Sequence, residues 1–113
     1  MEYQILPRVK SFLSKKQLSL FIDGKQQAAN TDKFIPVYNP ATEDILTHIP
    51  NASTQDTEKA IKVADKALTT GKWPRLLANQ REKMMLDYAN IIEKNEPELA
   101  QLLVLEHGKL YAD

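Results

Sequence analysis

The chain has 113 residues, one domain's worth at most. Lys+Arg and Asp+Glu each number 15, so the net charge is zero and no basic surplus exists for a sequence-independent grip on nucleic acid. With 27% charged and 42% hydrophobic residues the composition is globular and not disordered, and no apolar run reaches the roughly 18 residues of a membrane span. The opening residues lack the pattern of a secretory leader, so none is expected. Cysteine is absent, which removes disulfides, zinc–thiolate sites and thiol nucleophiles from these residues, and a cytoplasmic location is expected. His48 and His107 lie far apart in sequence and are read as surface or turn imidazoles, not metal ligands.

Residues 1–17 are read as an N-terminal arm. Within 6–16, Leu6, Val9, Phe12 and Leu13 share one face of a short helix, while Arg8, Lys10, Lys15 and Lys16 make the other face basic. A docked arm is favoured over a membrane-surface or transit role, because the stretch is short and holds a single Arg. Residues 18–23 alternate like a strand. Asp23-Gly24 is a strong hairpin signal, and Lys25 to Ala28 would return. Asn30-Thr31-Asp32 is turn chemistry. A second pair follows, 34–39 and 45–49, joined by a turn that starts at Asn39-Pro40 and closed by Pro50. Pro36 lacks an N–H, so its strand should be an edge or carry a bulge. With only Gly24, Gly71 and Gly108, neither G-x-G-x-x-G nor a P-loop exists.

The second half reads as three helices. Ser53 with Asp56 forms a capping box ahead of a stripe of Ala60, Ile61, Ala64, Ala67 and Leu68, and Gly71 fits the position just past its end. After a Trp73-Pro74 connector, Asn79 is the expected cap of the next helix, with Glu82 at N3. Its stripe is Met84, Met85, Tyr88, Ile91 and Ile92, read as a core face and not a promiscuous groove. Asn95 and Pro97 open the third helix, with Glu98 in its first turn. Leu99, Ala100, Leu102, Leu103, Val104 and Leu105 are apolar nearly all round, so this helix is buried on several sides or covered by something else. Gly108 can end it.

Read together, LFIDG at 20–24, VYNPAT at 37–42, Ile49-Pro50, AIKVADKAL, GKWP, and NQREKMMLDYANIIEKNEPELAQLLVLEHGK resemble the N-terminal segment of the NAD(P)-dependent aldehyde dehydrogenases. The resemblance covers about residues 18–113, six landmarks in order. The leader VKSFLSKKQ before LFIDG is similar to that of bacterial phenylacetaldehyde dehydrogenases. Two positions depart from the common pattern. Glu43 stands where many members have Gly, and Leu110 follows Gly108-Lys109 where Pro is usual.

The resemblance implies an α/β enzyme (α+β in this segment) of about four to five hundred residues, of which the chain would be an N-terminal fragment. The family oxidises an aldehyde to a carboxylic acid with NAD or NADP through a cysteine thioester, hydrolysed by glutamate-activated water. Its catalytic and cofactor residues lie beyond the equivalent of Asp113. This segment is therefore expected to be scaffold around the cofactor domain and inactive alone, with no catalytic and no cofactor-binding residue. It is also expected to be marginally stable alone, because about 1–2 kcal/mol of backbone entropy per residue opposes a core only partly present. The family further implies a homodimer or homotetramer. It also implies a structural cation (Na⁺, K⁺ or Mg²⁺) on the Tyr38 carbonyl and the Glu106 carboxylate, with a further ligand past Asp113. Two other readings stand beside this one: a stand-alone interaction module docking through Met84/Met85 or the 99–105 helix, and a truncated relic without function.

Overall fold

In the computed structural model, residues 4–15 and 17–111 are described. Pro7 locks φ at the start of α1 (Pro7–Leu13), where its missing N–H costs nothing. The chain then forms β1 (Leu20–Ile22) and β2 (Lys25–Gln27), β3 (Phe34–Tyr38) and β4 (Ile45–Pro50). Each pair is a separate two-stranded antiparallel sheet. The second half holds α2 (Thr54–Thr69), a 3₁₀ turn (Trp73–Arg75), α3 (Ala78–Lys94) and α4 (Glu96–His107). Hairpins followed by three helices are thus observed, with the arm helix ahead of them.

Local chemistry accounts for most boundaries. Asp23 and Gly24 take φ of 57° and 70°, the paired left-handed conformation of a tight hairpin turn. Pro36 lies opposite His48, and the register slips between Val37 and Tyr38. A strand of a two-stranded sheet always has a free edge, so the missing N–H needs no ladder partner. At the β3–β4 turn the Asn39 side chain accepts from the Ala41 N–H at 2.9 Å, and Glu43 N–H donates to the Asn39 carbonyl at 2.8 Å. Glu43 itself sits at φ 62°. It occupies the left-handed conformation that a glycine would take without steric cost.

Ser53 caps α2 as the spacing predicts, its hydroxyl accepting from the Asp56 N–H at 3.2 Å. Gly71 lies just past the end of α2, but its φ is not left-handed. A Cβ there would stand 2.1 Å from the Ala67 carbonyl oxygen, so close approach, not backbone handedness, calls for glycine. Asn79 is not the cap of α3. The helix starts at Ala78, and the Gln80 side chain accepts from the Leu77 N–H at 3.0 Å. Glu82 therefore falls one turn inside the helix and caps nothing. An amide reaching back from N3 is equivalent to the glutamate of a capping box, which is why the sequence admits both registers. Asn95 ends α3 and begins α4. Gly108 closes α4 at φ 69°.

The core is small and lies where α1, the β3–β4 sheet and α4 meet. Val9 is 1% exposed and Leu105 7%. Buried polar residues join them: Thr47, Gln101 and, at the head of α2, Asp56. The accessible surface is 9378 Å², against about 6,300 Å² for a compact chain of this size. The radius of gyration is 17.5 Å, where a compact domain of equal length has about 13 Å. The molecule is elongated, 51 × 36 × 20 Å. It buries about half its unfolded surface instead of the two thirds its length permits.

Much of the excess area is apolar and lies on helices. Met84 and Met85 are 51% and 57% exposed, and Tyr88 and Ile91 are similar. The α3 stripe is therefore not the core face that the periodicity suggested, because no element of the described residues covers it. On α2 the same holds for Ile61 and Leu68.

Candidate functional site

Polar contacts concentrate at two fasteners, and an apolar groove lies beside the first. The first fastener is Gln101, the polar interruption of the apolar run of α4. Its carbonyl oxygen accepts from the Leu6 N–H at 2.6 Å, and its amide donates to the Gln4 carbonyl at 3.0 Å. One buried side chain thus satisfies both backbone groups of an extended segment. Arg8 adds bonds to the Asn95 side chain at 3.1 Å and the Glu98 carboxylate at 3.3 Å. Further along, the Thr47 hydroxyl donates to the Lys15 carbonyl and the Leu18 N–H to the His48 carbonyl. The described residues of the arm are docked, not free; residues 1–3 and 16 lie outside them.

The second fastener is Asp56. One oxygen accepts from the Ser53 N–H at 2.9 Å, the Ser53 hydroxyl at 2.8 Å and the Asn30 N–H at 2.9 Å; the other accepts from Asn30 N–H at 3.1 Å. The Ser53 N–H and hydroxyl hold its carboxyl below the usual carboxylate range against desolvation, with lesser help from the Asn30 N–H and the Lys59 ammonium. The capping role was visible in the sequence; the reach to Asn30 was not.

The groove, about 250 Å³, runs between the arm, the β3–β4 sheet and α4. Phe12, Leu18, Val37, Leu46 and Leu102 line it, and Glu106 is its one carboxylate. Tyr38 ends β3 at the bulge, 52% exposed. Glu106 lies in the last turn of α4 and is exposed. A Cβ on Gly108 would touch Pro40 at 3.2 Å, so the end of α4 lies against the turn that follows Tyr38. Tyr38 and Glu106, the expected cation ligands, lie on the strand before this turn and in the last turn of α4. Carbonyl and carboxylate oxygens suit a hard cation, but two donors fall short of the six or so such ions take. Among the described residues no three His, Cys, Asp or Glu cluster. His48 lies in β4 with its carbonyl bound to Leu18, and His107 is exposed at the end of α4.

No glycine-rich phosphate loop is present in this sequence. Gly24, Gly71 and Gly108 close a hairpin and end two helices, and none opens a helix onto a phosphate. No thiol exists to attack a carbonyl. No helix of the described residues is long and apolar enough to cross a membrane.

The sequence model of the aldehyde dehydrogenase family matches residues 26–113. A phenylacetaldehyde dehydrogenase of Pseudomonas fluorescens is 37% identical over 80% of this chain and 18% of its own length. A 3,6-anhydro-alpha-L-galactose dehydrogenase of a Vibrio species is 36% identical over 85% of the chain and 20% of its own. In three dimensions the NAD⁺ complex of an aldehyde dehydrogenase from Bacillus cereus superposes with a TM-score of 0.92 and 34% identity, covering 99% of this chain and 23% of that one. The chain thus spans about a fifth of the length of the relatives it matches. With a matching family model over most of its residues and a fold shared almost end to end, this chain belongs to the aldehyde dehydrogenase family.

Proposed function

We propose that this chain is the N-terminal scaffold segment of an NAD(P)-dependent enzyme that oxidises an aldehyde to a carboxylic acid, phenylacetaldehyde being the favoured substrate. What supports this reading most is the superposition of 99% of the chain on less than a quarter of an aldehyde dehydrogenase. The segment supplies neither thiolate nor cofactor cradle. Its work is to seat the arm, the β3–β4 sheet and α4 against one another and to offer the apolar faces of α2 and α3 to the remainder of the enzyme. A structural cation would take the Tyr38 carbonyl and Glu106 carboxylate only when further ligands arrive from outside this segment. The complete enzyme is cytoplasmic and a homodimer or homotetramer.

The test is to read the coding DNA beyond Asp113, express the whole frame beside the 113-residue chain, and follow nicotinamide reduction with phenylacetaldehyde. Turnover by the long product, with none by the short one, is the expected result. Turnover by the short chain, or a stop codon directly after Asp113, overturns it.

A further inference from the structure

The β1–β2 hairpin is weakly anchored by packing. Among the described residues its two strands pair only with each other, Phe21 is 72% exposed, and Leu20 and Ile22 are half-buried. The Gln27 amide is buried with its N–H₂ unpartnered among the described residues, so the seat is not closely complementary. What fastens the hairpin is polar and comes from one end of α2. The Asp56 carboxylate takes the Asn30 N–H, the Gln55 side chain takes the Asn30 side-chain amide, and the Lys59 ammonium donates to the Gln27 side-chain amide oxygen. Residues 55, 56 and 59 lie within the first two turns of one helix. Together they hold the four-residue stretch 27–30, through which the hairpin leaves for β3. Ser53, by capping the helix through the same carboxylate, fixes the aim of that carboxylate.

We propose that the first turns of α2 form a clasp on residues 27–30, with Asp56 as its closing charge, and that opening it frees the β1–β2 hairpin as a unit while the β3–β4 sheet and α4 stay formed. Two features favour local release. The β3–β4 sheet and α4 have their own fasteners in Thr47 and Gln101, neither shared with the clasp. The charge that faces Asp56 is Lys59, on its own helix. Ser53 and the loop's Asn30 present neutral N–H and O–H groups to it, Gln27 presents an uncharged amide to Lys59, and Asp32 and Lys33 of the same loop are exposed. Protonation of Asp56 therefore weakens the grip on Asn30 and Ser53 together.

Hydrogen exchange on the full chain tests this, with peptides from 34–50 and 96–107 as internal references. Asp56→Asn is expected to lower protection in 20–30 by roughly tenfold or more with the references unchanged. Lys59→Met should give a smaller loss in the same peptides. In the wild type, pH falling below the ordinary carboxylate value of 3.8 should reproduce the Asp56→Asn pattern, and the variant itself should show no such step. The sign follows from the lowered pKa: the clasp is intact above that value and lost as pH falls through the folded one. Unchanged hairpin protection in Asp56→Asn overturns the proposal. So does joint loss of protection in hairpin and references, including a variant that fails to fold, since the clasp would then be part of one global unit.

Discussion

α4 and α3 are neighbours in sequence, both rich in apolar residues, and they end in opposite states. α4 has a poorly defined face, yet Leu105 and Gln101 are buried, with α1 packed on the helix and the segment before α1 bonded to Gln101. α3 has the more regular stripe, yet no residue of it is buried. The difference teaches that a periodic apolar face states a demand for a partner and does not provide one. α4 meets part of its demand inside this chain, through Leu105, while Leu99 and Leu103 stay 44% and 46% exposed. α3 does not, and the surface beyond that of a compact chain measures the shortfall.

Three substitutions break or sharpen this contrast in urea unfolding of the chain. Leu105→Ala removes apolar volume from the small core and should cost about 3 kcal/mol. Gln101→Leu leaves the half-buried Leu6 N–H and the Gln4 carbonyl without their side-chain partner, and should cost about 1 kcal/mol, with exchange protection lost first in the arm. Ile91→Ser should change stability by less than about 0.5 kcal/mol while lowering the binding of a hydrophobic dye. If Ile91→Ser proves as costly as Leu105→Ala, something covers α3 in solution and the contrast fails.

The legible parts of the fold were those written in adjacent residues. The Asp23-Gly24 turn, the Ser53–Asp56 box and the Gly108 stop each rest on bonds or dihedrals a few positions apart. Glu43 was legible too, as a residue in a place that favours glycine, and its φ of 62° confirms that the turn keeps its shape regardless. The start of α3 was misread because Gln80 and Glu82 are equivalent as signals, and only tertiary context chooses between them. Gln101 left one clue, a lone amide within an apolar run. Its partners lie 95 and 97 residues away, at a distance no periodicity can span. The candidate cation ligands Tyr38 and Glu106 followed from resemblance alone.

By itself the amino-acid order determined which segments are strands, helices and turns, since propensity, capping and backbone handedness act over a few residues. It also determined that no thiol chemistry and no phosphate loop reside here. Tertiary structure alone decided which of the apolar faces become core and which stay open. It also placed Asn30 on Asp56 and the arm on Gln101. The reason is physical: burial and long-range hydrogen bonds depend on what arrives from elsewhere in the chain, and a helix of this sequence folds with its face ready whether or not a partner comes.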